Sequence, residues 1–129
     1  MSTTYTDIRA ALASHLMALP DLPDVAWENT AYTPEVGKPY LVPNVMWGES
    51  FQAEYGTNGL NREVGIYQIQ CVYPDGEGAG PLNAMIDAVK THFKRGTKIT
   101  YNGLTVTITK CYPGPSGIVS IPFRCLAPN

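Results

Sequence analysis

His15 and His92 are the only imidazoles in this chain, and Cys71, Cys111 and Cys125 are its only thiols. A His beside a Cys or Ser would suit nucleophilic acyl transfer, and Cys and His at close spacing would suit zinc. The spacing supports neither. There is no Cys-X-X-Cys pair, and neither His stands within ligand spacing of a Cys. Ser14 adjoins His15, but neighbours on a helix point in different directions. A Ser–His or Cys–His pair assembled across the fold stays open at this point. Three widely spaced cysteines do not form a disulfide framework. Each falls in a strand-like run, where a free Cys acts as a small buried apolar group. Reduced thiols suit a cytosolic origin.

Asp75-Gly-Glu-Gly-Ala-Gly80 is the other chemical candidate, because it follows a strand-like run and opens a helix-like one. Its glycines read GxGxG, not GxGxxG, and no Lys-Ser/Thr follows. Asp75 and Glu77 would repel a phosphate. As calcium ligands they fall short of the oxygen count an EF-hand supplies. The segment reads as a turn feeding a helix. No catalytic residue, cofactor or metal ligand emerges, and the chain reads as a non-enzyme.

Gly48 to Arg62 is a different kind of candidate. This polar stretch joins two strand-like runs and is far longer than the ~4–6 residues of a usual connection. It holds Phe51, Tyr55 and Leu60 among Glu49, Glu54 and Arg62. Disordered linkers are poor in such apolar anchors. A loop with both anchors and charges suits binding to another surface. For Glu49, Glu54, Arg62 and Glu63 the competing reading is a solvated loop.

Composition bounds the rest. A chain of 129 residues suits one domain with a real core. The formal net charge of -2 argues against a dedicated nucleic-acid binder, which carries a basic excess. Eight tyrosines supply large apolar bodies with polar tips, as interfaces favour. Trp27 and Trp47 read as core or interface anchors. The start, Met1 to Asp7, has no signal-type block, and no window is apolar enough to span a membrane.

These residues need elements to hold them. Ile8, Leu12, His15 and Leu19 recur at helical spacing between Thr6 and Leu19, capped by Thr6 or Thr4 and ended by Pro20. Val25–Glu28, Tyr40–Trp47 and Arg62–Tyr73 read as strands, with Pro43 marking an edge or bulge. Leu82, Met85, Ile86, Val89 and Phe93 stripe a second helix with Pro81 in its first turn and Gly96 beyond its end. Lys98–Tyr101 and Leu104–Cys111 flank Asn102-Gly103, a strong hairpin signal. Gly117–Leu126 is the last strand, with Val119, Ile121, Phe123 and Cys125 inward and Pro122 again pointing to an edge or bulge. The expected class is α+β, in the order α-β-β-β-α-β-β-β, with two helices packed on one face of a mostly antiparallel sheet.

Several blocks carry a family likeness. Ala26-Trp-Glu-Asn29, Thr33-Pro34 and Gly37-Lys-Pro-Tyr-Leu41 are followed by Gly56, Asn58-Gly59, Arg62 and Gly65-Ile66. Gly76-Glu-Gly78 then leads into Leu82-Asn-Ala-Met-Ile86. In order and spacing, along nearly the whole chain, this resembles the tail terminator or tail completion proteins of tailed bacteriophages. The resemblance implies a structural virion protein at the head-proximal end of the tail, assembled in the host cytoplasm. It implies a homo-oligomer, a six-membered ring that ends the tail tube and joins it to the head. Its partners would be the tail tube protein and a neck or head-completion protein. DNA would pass through the ring without sequence-specific binding, and no membrane or cofactor is involved. The family's long loop would map onto Glu49 to Arg62, making Glu49, Phe51, Glu54, Tyr55, Asn58, Leu60 and Arg62 the candidate interface. Another ring component of the neck or tail, and a small cytosolic ligand-binding domain or enzyme, are the competing readings.

Overall fold

Alternation in one long strand organises the molecule. The structure, a computed structural model, describes residues 4–20, 22–27, 32–33, 37–49, 51–52, 61–74, 76 and 78–127. Strand β4 (Asn61–Val72) buries Glu63, Gly65, Tyr67, Ile69 and Cys71 and leaves the intervening residues half-buried or exposed. A period of two on a sheet covered on one face gives this pattern. The other elements are α1 (Thr4–Met17), β1 (Asp24–Val25), β2 (Tyr40–Trp47), β3 (Phe51–Gln52), α2 (Gly80–His92), β5 (Lys98–Tyr101), β6 (Leu104–Ile108), β7 (Tyr112–Pro113) and β8 (Ile118–Ala127). The expected order α-β-β-β-α-β-β-β holds, with the two-residue strands β3 and β7 added to it.

The sheet runs β1-β2-β4-β8-β6-β5, with β3 on β4 and β7 on β8. Every pairing is antiparallel except β1 with β2. Helices α1 and α2 close over the inner face. Ile8, Ala11, Leu12 and Leu16 of α1 and Met85 and Val89 of α2 join Tyr67, Ile69, Val106, Ile108, Val119, Ile121 and Phe123 in a hydrophobic cluster. Phe93, just past the end of α2, is fully buried in it. Full burial of each such side chain contributes on the order of 1.5–3 kcal/mol.

The boundaries differ from the sequence expectation where local chemistry intervenes. Helix α1 starts at Thr4, so Thr6 lies within it, and it ends at Met17. The amides of Ala18 and Leu19 bond back to the carbonyls of His15 and Leu16 at 3.2 and 3.0 Å, a tightened last turn before Pro20. Strand β6 stops at Ile108, because Thr109 turns its amide to the Pro122 carbonyl at 2.9 Å. Cys111 is therefore outside a strand, yet still buried.

Both strand prolines lie where no ladder donor is needed. The Leu41 carbonyl accepts from Ala26, so Leu41 and Pro43 turn their polar atoms away from β4. Strand β1 pairs only Tyr40 and Leu41, and Pro43 lies beyond it, as an edge position predicts. Pro122 does not: β8 is central, between β4 and β6. Its carbonyl accepts from Thr109, so its ring nitrogen faces the same side, into the gap between β6 and β7. The break in that ladder, not a sheet edge, accommodates it.

Candidate interaction hairpin and its anchorage

The chemical candidates are placed first. His15 and His92 meet across the α1–α2 seam, with ring centroids 4.0 Å apart and planes 16° from parallel. Nε2 of His15 donates to the His92 carbonyl at 2.7 Å, and Nε2 of His92 donates to the His15 carbonyl at 2.5 Å. The pair is a reciprocal clamp between two helix C-termini. Burial pushes the His15 pKa below its ordinary 6.5, a backbone hydrogen bond opposes this, and the neighbouring His92 charge adds to it. All three thiols are buried. Burial pushes Cys71 up to about 11. It also raises Cys111, against the opposing charge of Lys90, and Cys125, reinforced by Glu63. A raised thiol pKa starves the site of thiolate, the reactive form. Among the described residues no group of three or more His, Cys, Asp or Glu is placed to hold a metal ion.

Asp75 and Glu77 of the glycine-rich turn lie outside the described residues. Gly76 and Gly78 have positive φ, at +90° and +75°, and Gly80 opens α2. The cavity beside them, about 460 Å³, is lined by Tyr73, Pro74 and Leu82 among others and, among the described residues, by no Lys or Arg. None of those described residues would neutralise a phosphate.

The segment from Gly48 to Arg62 is not a loop throughout. Phe51 pairs with Arg62 and Gln52 with Asn61, so antiparallel strands zip its base. The length that troubled a connection is shortened by this pairing, and residues 53–60 between the paired strands lie outside the described residues. Of the seven candidate interface residues, Glu54, Tyr55, Asn58 and Leu60 lie outside the described residues. Phe51 is described by its strand pairing alone. Glu49 is exposed and Arg62 half-buried. The period-two signal was too short to see here: two residues a side, interrupted by Glu and Gly.

The base of this hairpin is held from both sides. The Gly48 amide bonds to the Val64 carbonyl at 2.9 Å. Trp47 sits edge-on to Tyr5 of α1 at 4.7 Å and to Phe123 of β8 at 6.2 Å. The Tyr5 hydroxyl donates to Oε2 of Glu63 at 3.0 Å, so this buried carboxylate has a partner. Gly65 makes the close packing possible. A Cβ there would lie 2.8 Å from both the Met46 carbonyl oxygen and the Phe123 ring. The sequence reading missed this Tyr5–Trp47–Glu63 anchor. Tyr5 precedes the periodic part of α1, and nothing in the spacing links it to position 47 or 63.

Fold and hairpin base together define the class: an α+β protein whose helices cover one face of the sheet and whose β3–β4 pairing is anchored to it. Residues 7–120 match the family described as phage tail terminator protein, and the chain belongs to that family. Its role is therefore structural, as a component of a phage tail and so of the virion, in contact with other tail proteins. No curated protein matches the chain. A solved structure whose name states no function shares the fold at 24% identity and a TM-score of 0.68, over 98% of this chain and 96% of that one. Among the described residues no helix is long and apolar enough to cross a membrane.

Proposed function

We propose that the chain forms a six-membered ring at the head-proximal end of the tail tube. The ring ends tube polymerisation, offers a docking face to the neck or head-completion protein, and lets DNA pass without reading its sequence. The observation that carries this reading is membership of the terminator family over residues 7–120. The anchored hairpin base supports it, because Trp47, Tyr5 and Glu63 brace the strands that lead into this segment. In this role the tip makes the contacts between subunits or with the tube, through Phe51, Tyr55 and Leu60, with Glu49, Glu54, Asn58 and Arg62 around them.

The protein carries out no catalytic step. In support, Nε2 of each histidine is committed to a backbone carbonyl, and burial raises the thiol pKa values. Multi-angle light scattering for mass, negative-stain images for shape and a tail-length assay in complemented phage test the proposal. The expected results are a hexamer mass, rings with a central hole, and abnormal tails when the protein is missing. A monomer together with normal tails in the absence of the protein would overturn it.

A further inference from the structure

The charges of this chain are sorted by position. All eleven Asp and Glu lie within residues 1–87, and six of the nine Lys and Arg lie in residues 88–129. The formal net charge of -2 is only a sum, and the potential at any one surface follows the distribution. The fold gathers four of those six cations. Lys90 belongs to α2, Lys94 and Arg95 follow its end, and Lys110 follows β6. With Thr91 and Cys111 they line a cavity of about 370 Å³.

All four cations are exposed, and none forms an ion pair among the described residues. No carboxylate among the described residues lines the cavity. Asp87, one turn before Lys90, lines the neighbouring groove with Leu19 and Pro20. Asp7 accepts a hydrogen bond from Asn102 in the β5–β6 turn. That turn is at the far end of β5, four strand residues or ~13 Å from the end that follows Arg95. Cations near a helix C-terminus have a local use, because they complement the negative end of its dipole. Lys90 and Lys94 serve that use from the helix's own sequence. Lys110 adds a further charge from a separate segment, where its Nζ lies 5.0 Å from the centre of the Tyr112 ring. The Lys90 charge also acts on the Cys111 thiol across the cavity. Crowding like charges around one concavity costs Coulomb energy, and a bound anion reverses the sign of that energy.

The lining decides the chemistry of the ligand. Protein interfaces are built on aromatic and apolar anchors and are depleted in Lys. Among the described residues this cavity has three Lys, one Arg, a Thr and a Cys, and no aromatic or aliphatic side chain. Ammonium and guanidinium charges beside a hydroxyl are the groups that hold phosphate oxygens without reading bases. We infer that the cavity at Lys90, Lys94, Arg95 and Lys110 binds the phosphodiester backbone of duplex DNA. The inference deepens the ring reading, on which the presence of DNA rests, and names the surface of each subunit that the passing duplex meets. Contact through phosphates alone is independent of sequence and sensitive to salt, so a duplex is guided and released.

Fluorescence anisotropy of the full chain with labelled duplexes of two unrelated sequences tests it. Both duplexes should bind alike in about 50 mM salt, and log K should fall with log salt at a slope of about -0.9 per phosphate contacted. Lys94→Gln/Lys110→Gln should weaken binding at least ~10-fold and reduce that slope by about 2, because each lost phosphate contact removes about 1. Its circular dichroism spectrum should match wild type, since both side chains are exposed. Lys38→Gln/Arg124→Gln removes two charges elsewhere, just before β2 and on the outer face of β8, and should weaken binding less than ~3-fold. Equal losses in the two variants, or an unchanged slope in the first, would mean that only net charge matters and would overturn the site. Tighter binding of poly-glutamate than of duplex DNA would assign the cavity to an acidic protein partner and refute the inference. Light scattering on the same samples reports the ring separately. Rings that bind neither duplex in about 50 mM salt, where screening is weak, would overturn this inference and leave the ring reading standing. A monomer that binds both duplexes with the expected slope would keep the site and remove the ring.

Discussion

The two faces of β4 run side by side and have opposite constraints. On the inner face Tyr67, Ile69 and Cys71 are packed beneath the helices and against β8. On the outer face Arg62, Val64, Ile66 and Gln68 are only half covered. The inner residues are chosen by volume and the outer ones by what they present. Substitution inside should therefore be read in the melting curve, and substitution outside in the assembly state. Predictions that cross this line would break the comparison.

The largest effect is expected at Phe93. It is fully buried, 4.7 Å edge-on from His15 and 6.1 Å from Tyr67 between ring centroids. Phe93→Ala should cost ~3–5 kcal/mol, the usual range for a buried Phe. Urea denaturation measures it, and an unchanged midpoint would mean that the inner face does not carry the stability.

Next comes the turn between β5 and β6. Asn102 and Gly103 have φ of +52° and +84°, as a tight two-residue hairpin requires. Asn102 also donates to Oδ1 of Asp7 at 3.2 Å, tying the turn to α1. Gly103→Val places a β-branched residue at positive φ and should cost about 1–3 kcal/mol. Gly103→Asn, which tolerates that region, should cost less. Equal losses for the two would show that the turn conformation is not what matters.

The His15–His92 clamp should give a smaller, pH-dependent effect. Burial lowers the His15 pKa below its ordinary 6.5, so the unfolded chain binds the proton more tightly than the folded one. The stability held by neutral His15 is then fully present above about pH 6.5 and declines as pH falls towards the lowered folded value. Thermal melts at pH 7.5 and 5.5 should show a drop that His15→Gln reduces. The difference between the two proteins is the informative quantity. An identical pH dependence in both would remove the clamp from the account.

These positions also mark how much was legible beforehand. The helix stripes, the Asn102-Gly103 turn and the alternation along β4 are local periodic signals, and they survive because burial is periodic too. Pro122 left an edge and a bulge both open, because a proline reports only a missing donor. Whether that donor is missing at an edge or at a gap between β6 and β7 is a fact of tertiary pairing. The hairpin base at Phe51–Gln52 was invisible for a similar reason. Two residues cannot establish a period, and their partners lie beyond the tip. The anchor of Tyr5, Trp47 and Glu63 joins three distant segments, and local signals cannot carry it. The family resemblance succeeded by order and spacing over the whole chain, which no single motif supplied.

The smallest effect on stability, and the sharpest test of the comparison, belongs to the hairpin tip. Gln52 and Asn61 are already paired, so residues 53–60 can be replaced by Asn-Gly to close the hairpin with a two-residue turn. The anchor at Trp47, Tyr5 and Glu63 is untouched, and the melting midpoint should correspond to less than ~0.5 kcal/mol of change, as for surface substitutions away from structural features. Assembly should fail nonetheless, because the shortened chain loses Tyr55 and Leu60. Tyr55→Ala should reproduce much of that loss, since aromatic anchors dominate interface energies. Arg62→Glu should act more mildly and with a salt dependence, because rim charges contribute little to affinity and are screened. Light scattering reports the ring, circular dichroism the fold, and tail length in complemented phage the capping. Normal rings and normal tails from the shortened chain would show that the hairpin is only a connection, and the contacts of the ring would then have to lie entirely on the body of the sheet.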